Sequence, residues 1–293
     1  MTISAKIIAD SVANGIRITT MELEYPRFIH SEFMTHRLFS RNASSSRAIP
    51  VAKMIAQVSE NPAMPIHWGR NQPGMQATEE FDEEAIRDLK ADWLDTMRVS
   101  MRWAKHFAEV GVHKQIVNRI LEPFQHIKVI VTATEWDNFF KLRLHPSAQP
   151  EMQELARCMK EAMNYSATTE LIPGEWHLPY VEYDEFQCAD GSIDMEKAIK
   201  CSVARCARVS YLNHDNSTPD IGKDIALADA LLKDGHMSPF EHQASPMIEP
   251  SDTGIAISNV DIYNMQEGVT HVTTKGELWS GNFRGWIQYR QTL

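Results

Sequence analysis

The stretch from Ile16 to Arg47, IRITTMELEYPRFIHSEFMTHRLFSRNASSSR, sets both the architecture and the chemistry of this chain. Its first ten residues alternate, with Met21, Leu23 and Tyr25 on one face and Thr20, Glu22 and Glu24 on the other. Such a period of two marks a strand buried on one side. Pro26 offers no N–H to a ladder and ends it. Phe28, Ile29, Phe33 and Met34 then follow at helical spacing and read as one or two apolar turns leading to His36. The last thirteen residues, Thr35 to Arg47, hold one His, three Arg, one Asn and four Ser. Arg37, Arg41 and Arg47 each bring a planar fork of donors suited to an oxyanion. His36 can donate from one ring nitrogen while the other positions it, and the serines with Asn42 add neutral donors in a tight loop. This density suits the phosphates of a nucleotide or dinucleotide. The competing reading is a basic, serine-rich surface loop, but a loop launched from a strand through packed turns is the better fixed of the two.

Outward from this segment, other elements follow from spacing. Ile86, Leu89, Trp93, Met97, Met101, Ala104 and Ala108 recur every three or four residues behind the acidic run Glu79 to Glu84, predicting a long amphipathic helix stopped by Gly111. Ile127 to Val131 reads as a short buried strand. Glu151 to Met163 reads as a helix with Met152, Leu155 and Met159 inward, and Ile225, Ala228 and Leu232 mark another that ends near Gly235. Trp93, Trp103 and the helix methionines are expected in the core. The segment from Asn61 to Met75, with three Pro, two Gly and Trp68, is expected to be an ordered loop and a candidate lid.

Composition narrows the class. The chain has 293 residues with 43% hydrophobic content, enough for one large core or two modest ones. A net charge of −10 disfavours a general nucleic-acid binder. The basic groups are instead concentrated locally, as a small anionic ligand requires. No run of about 18 apolar residues is present to span a membrane, and the opening MTISAKIIADSVANG lacks the pattern of a signal peptide. Cys158, Cys188, Cys201 and Cys206 form no CxxC and read as the reduced thiols of a cytoplasmic protein. His106, His113, His126 and His145 lack metal-site spacing. His236 and His242 flank Glu241, but no metal is expected.

Four separate motifs then point to one family. His36-Arg37, seven residues, then Ser45 resembles the R-H-R-x7-S signature of the flavin-dependent thymidylate synthases, ThyX, with Ser40, Asn42 and Arg47 agreeing inside it. Ala207-Arg208-Val209-Ser210-Tyr211 and His236-Met237-Ser238-Pro239-Phe240-Glu241-His242 are similar to the family's ARVSY and HxSPFEH. Leu142-Arg143 with Ala148-Gln149 and Glu151 resembles its LR…AQxE segment, and Arg119 with Pro123 its Arg-x-x-x-Pro. In the family ARVSY and HxSPFEH precede R-H-R-x7-S. Here they follow it by more than 150 residues, as a circular permutation would place them. Residues 1–165 would then carry the core motifs, 166–194 the joining segment, and 195–293 the permuted motifs with an extension, all one functional unit.

The resemblance implies an α/β (α+β) fold, a mixed sheet with long flanking helices. It implies reductive methylation of dUMP to dTMP, with FAD as cofactor and with methylenetetrahydrofolate and NADPH as co-substrates. It implies a homotetramer with a small-molecule nucleotide substrate and no nucleic-acid or membrane partner. Carried over by motif, Arg143 would stabilise charge on the pyrimidine, with Ser45 beside it in the catalytic centre. Arg47, Arg119, Ser45 and Glu32 would bind substrate. His36, Arg37, Asn138, Ser210, His236, Ser238 and Glu241 would contact FAD. Alternatives are C5 methylation or hydroxymethylation of dCMP or dUMP, or a catalytically inert nucleotide-binding protein.

Four positions depart from the family pattern. Thr35 replaces the first Arg of the signature, Glu32 a usual Gln, Ala43 a common Glu, and Thr134 an Arg that often helps hold FAD. Arg41 or the tail, which ends NFRGWIQYR over residues 282–290, is the candidate to compensate. A serine hydrolase is disfavoured because no G-x-S-x-G is present. Cysteine catalysis is disfavoured because no Cys follows a Pro or lies among phosphate-binding groups.

Overall fold

Alternation at residues 16–25 does produce the central strand. A computed structural model describes residues 3–210, 220–248 and 266–293. In chain order the elements are β1 (Ser4–Ala13), β2 (Ile16–Pro26), α1 (His30–Phe33), β3 (Ser40–Ala43), α2 (Val51–Glu60), α3 (Glu83–Glu109), α4 (Lys114–Val117), β4 (His126–Ala133), α5 (Asp137–Arg143), α6 (Pro150–Tyr165) and β5 (Thr169–Glu170). There follow α7 (Met195–Ala207), α8 (Ile221–Lys233), β6 (Ala244–Pro246), β7 (His271–Val272), β8 (Leu278–Ser280), β9 (Phe283–Arg284) and β10 (Trp286–Gln288). A five-stranded sheet has the order β3-β4-β2-β1-β5. Its pairings are antiparallel except β1 with β5, so the sheet is mixed. Asn14 and Gly15, at φ 50° and 71°, make the β1–β2 turn, a geometry whose twist matches the strands.

The sheet has two unlike faces. Met21, Leu23 and Tyr25 pair across to Val131, Val129 and Ile127, and together they cover α5 and α6 through Phe139, Met152, Leu155 and Met159. On the other face Thr20 pairs with Thr132, and Thr132 with Ser40. The segments after β5 cover that side. A second core joins α2, α3 and the 3-10 turn at 118–124 through Met54, Val58, Met97, Leu121 and Phe124. A third joins α7 and α8 to Phe186 and Phe240.

Several expectations hold at residue level. Helix α3 is capped by Asp82, whose carboxylate accepts from the Ala85 N–H, and Gly111 follows its end at φ 87°. Met152, Leu155 and Met159 are fully buried. Others need correction. Trp103 is 55% exposed and Leu232 41% exposed, because each lies past the edge of its helix's buried stripe. The segment Ser40–Ala43, read as loop, is an edge strand held by β4. A permuted chain is expected to bring the segment after His242 beside Ile16–Tyr25 in one sheet, but β6 pairs with β10 as a separate two-stranded ribbon. Among the described residues no helix is long and apolar enough to cross a membrane.

Candidate active site

Arg143 ends α5 and meets the loop after α1 with most of its donors. Its Nε donates to His36 Nε2 at 2.8 Å, Nη2 to Thr35 Oγ1 at 3.3 Å, and Nη1 to the carboxylate of Glu32. Neither Asp137 on the same helix nor Glu151 on α6 takes it. Burial, then the nearby Arg143 and Arg41, lowers His36 to about 4, so the ring is neutral at pH 7. Since Nε2 accepts, Nδ1 carries the proton. The ring is fixed edge-on to Phe139, centroids 4.8 Å apart, and stacked with Phe39.

The loop that presents these groups is itself tied down. Arg41 Nη1 donates to the carbonyls of Met34 and His36, both at 3.0 Å. Arg41 Nη1 thus closes the α1 loop, while its Nε and Nη2 make no hydrogen bond among the described residues. Arg37 is exposed and makes no hydrogen bond or ion pair among the described residues.

Glu32 and Arg143 line a cleft of about 1240 Å³. The loop of residues 61–75, read as a candidate lid, also lines it, through Ile66, His67 and Met75, together with Gln149 and Glu151 of the AQxE segment. The Ile66 N–H donates to Glu151 Oε1 at 2.9 Å, and Gln76 Nε2 to the Ser147 carbonyl at 3.3 Å, which fastens that loop to the start of α6. Ile66 and His67 carried no chemical motif. The Pro and Gly content around them was the signal that found the loop.

Ser45, Arg47 and Arg119 form a different surface. Asn118 Nδ2 donates to the carbonyls of Ser46 at 2.7 Å and Ile49 at 2.9 Å, and Lys114 Nζ to that of Ala48 at 3.0 Å. The loop bearing Ser45 and Arg47 is thus tied to the segment bearing Arg119. Arg119 pairs with Glu122 at 2.8 Å, and Glu122 also takes Arg27 at 3.1 Å. None of Ser45, Arg47 or Arg119 lines the Arg143 cleft.

The HxSPFEH residues return to the first motif within one chain. The 3-10 turn Ser238–Glu241 packs on β3. Gln288 of β10 bridges them, its Nε2 donating to Ser40 Oγ at 3.0 Å and to the Glu241 carbonyl at 3.1 Å. Glu241 pairs with Arg290. His236, Ser238 and Asn138 are exposed. The Ser210 side chain and Tyr211 lie outside the described residues. Arg208 of ARVSY pairs with the fully buried Asp224, which also takes Arg205 at 3.1 Å. His242 is buried, with Nδ1 on Thr132 Oγ1 at 2.8 Å, and so does not converge with the exposed His236. The tail reaches Thr134 as well: the Arg284 N–H donates to its Oγ1 at 3.0 Å, and the side chain pairs with Glu135 at 2.5 Å. There Arg284 lines a groove with Arg17, Lys141 and Lys160.

Comparison with known proteins follows this geometry. A solved UMP/dUMP methylase, PolB from Streptomyces cacaoi bound with 5-Br dUMP, is similar over 55% of this chain and 90% of its own, at 15% identity and a TM-score of 0.48. The same protein bound with 5-Br UMP covers 55% and 88%, at 14% identity and a TM-score of 0.46. No curated protein sequence matches the chain. The family model for thymidylate synthase complementing protein matches residues 10–167, just over half of the sequence. The chain therefore belongs to the thymidylate synthase complementing protein (ThyX) family, thymidylate synthase-like methyltransferases that are generally flavin-dependent.

Proposed function

We propose that this chain is a FAD-dependent enzyme that methylates a pyrimidine nucleotide at C5, in the form dUMP to dTMP, with methylenetetrahydrofolate giving the carbon and NADPH the reducing equivalents. The observation that carries the reading is Arg143. A guanidinium locked by Glu32, Thr35 and His36 at the wall of a cleft is a preorganised electrostatic group, the kind that supplies most of an enzyme's rate. Pyrimidine C5 becomes nucleophilic as charge on the ring is stabilised, and Arg143 is the group assigned to do this. Arg47, Arg119 and Ser45 are assigned to the nucleotide phosphate and sugar. Their distance from the cleft supports a homotetramer in which one subunit's phosphate loop completes another's site.

For FAD, the residues present fit. Among the described residues Arg37 has no ion-pair partner, and Asn138, His236 and Ser238 are exposed and make no side-chain hydrogen bond. FAD bound there would supply the hydride. His36, assigned to FAD by motif, orients Arg143 through its unprotonated Nε2, and Glu241 is held by Arg290. The packing of Ser238–Glu241 on β3 supports the circular permutation, since a change of connectivity must return these motifs to one place.

Flavin titration by absorbance, followed by product analysis with dUMP, tests the reading. Arg143→Ala is expected to lower turnover by about 10²-fold or more with FAD still bound, and Arg143→Lys to be nearly as poor, because a point charge cannot replace a planar fork. Protein that takes up no FAD, or an alanine variant of normal rate, overturns it.

A further inference from the structure

Glu32 and Thr35, two of the positions at which this chain departs from its family's pattern, lie on the same guanidinium. A guanidinium has five N–H donors. Three are taken, on His36, Glu32 and Thr35, which leaves one on each Nη. Glu32 uses Oε1 for Arg143, and its Oε2 has no hydrogen-bond partner among the described residues. Both side chains reach the cleft, at 28% and 17% exposure. At this point of the cleft wall the Glu32–Arg143 pair, itself without net charge, therefore offers a spare carboxylate oxygen beside spare N–H donors. That arrangement repels a phosphate at Glu32. It accepts a neutral edge on which a donor adjoins an acceptor.

Two pyrimidine edges next to C5 qualify. Uracil shows O4 then N3–H, and cytosine shows the N4 amino group then unprotonated N3. A carboxylate accepting from the cytosine N4 amine is a well-matched pair. Chemistry separates the two bases further. The 4-oxo group withdraws electrons, so uracil C5 is activated by negative charge on the ring, which a carboxylate opposes and a bare guanidinium favours. The 4-amino group donates electrons into a neutral ring, and a carboxylate holding its N–H strengthens that donation. With Arg143 compensated, the site no longer requires an anionic base.

We infer that a cytosine nucleotide, dCMP, is a second acceptor of this site and that Glu32 is the residue that admits it. The inference rests on the C5-methylation reading above. The balanced reaction is the same for both bases. The C5–H proton is lost, a bond forms from C5 to the one-carbon unit, both of that carbon's bonds to folate nitrogens break, the two nitrogens take up the lost proton and one more from solvent, and the hydride from NADPH completes the methyl group. The products are 5-methyl-dCMP, tetrahydrofolate and NADP.

The test uses FAD-loaded protein, wild type and Glu32→Gln, with dUMP and dCMP supplied separately. Product is read by mass, and equilibrium binding of each nucleotide is measured alongside. Wild type is expected to bind and convert dCMP. Glu32→Gln frees the charge of Arg143, and is expected to lower kcat/KM for dCMP and raise it for dUMP, so that their ratio falls by about tenfold or more. Conversion of dUMP with neither binding nor conversion of dCMP overturns the inference and leaves the proposed function standing. An unchanged ratio in the variant also overturns the role of Glu32. Failure of both nucleotides to react with FAD bound overturns the proposed function, and the wild-type dCMP affinity, still measurable, then decides whether the edge is read as described.

Discussion

The two faces of the five-stranded sheet are held by different physics. On one, Met21, Leu23, Tyr25, Val129 and Val131 bury against α5 and α6 and contribute through area, about 25 cal/mol for each Å² of apolar surface removed from water. On the other, hydroxyls cross the strands in a row. Ser11 Oγ bonds His177 Nδ1 at 2.9 Å, His177 Nε2 bonds Thr20 Oγ1 at 2.8 Å, Thr20 bonds Thr132 at 2.7 Å, and Thr132 bonds His242 Nδ1 at 2.8 Å. Ser40 extends the row to Gln288. Area is indifferent to small slips along a surface. A buried hydrogen bond is not, because a slip leaves a polar group unpaired. The apolar face sets how strongly the layers hold, and the polar row sets where the joining segment, the HxSPFEH motif and the tail come to rest.

Three measurements would break or sharpen that contrast. Leu23→Ala, on the apolar face at 0% exposure, is expected to cost about 2–5 kcal/mol in equilibrium denaturation. A loss under about 1 kcal/mol would mean that the face does not work through packing. Thr132→Val keeps the shape but leaves His242 Nδ1 unpaired and removes one of the two partners of Thr20, with an expected loss of about 1–3 kcal/mol. Its activity should fall as well, since His242 adjoins Glu241. A stability equal to wild type would show that the row is dispensable.

The smallest effect is in pH dependence. Burial holds both His177 and His242 at about 3, against an ordinary 6.5. The unfolded chain therefore binds protons below pH 6.5 that the folded chain refuses, and stability falls as pH drops from about 6.5 toward 3. His242→Gln removes one such group. Its stability should decline less steeply between pH 6 and 5, by about 1 kcal/mol per pH unit at most. Parallel slopes would contradict the neutral, buried state of His242.

Much of the apolar face was legible in the sequence and little of the polar row. Met21, Leu23 and Tyr25 announce themselves by alternation, and α3 and α6 by spacing, because each pattern is complete within one segment. Thr20 and Thr132 look like ordinary strand residues. Their partners, His177 and His242, come from segments 157 and 110 residues away. The same holds at the site. Motifs singled out both His36 and Arg143, which the structure brings into contact, whereas the pairing of Arg143 with Glu32, across 111 residues, was not read. Arg41 adds a tie that composition did not show: read as an oxyanion donor, it also closes the α1 loop through main-chain carbonyls close by. The strand Ser40–Ala43 was hidden because Ser, Arg, Asn and Ala have little β propensity, and pairing with β4 decides it.

The polar row also has a consequence in time. All five strands of the main sheet lie between Ser4 and Glu170, while His242 and Gln288 come much later in the chain. During synthesis the sheet emerges long before the residues that will close its second face. Contacts of such sequence separation are slow to find. Until they form, Thr20, Thr132 and Ser40 remain open to water, which satisfies them, so the waiting intermediate exposes a row of hydroxyls among Ile18 and Ile130 and not a wholly apolar surface. An assembly order that would leave an apolar face prone to aggregation is thereby made tolerable.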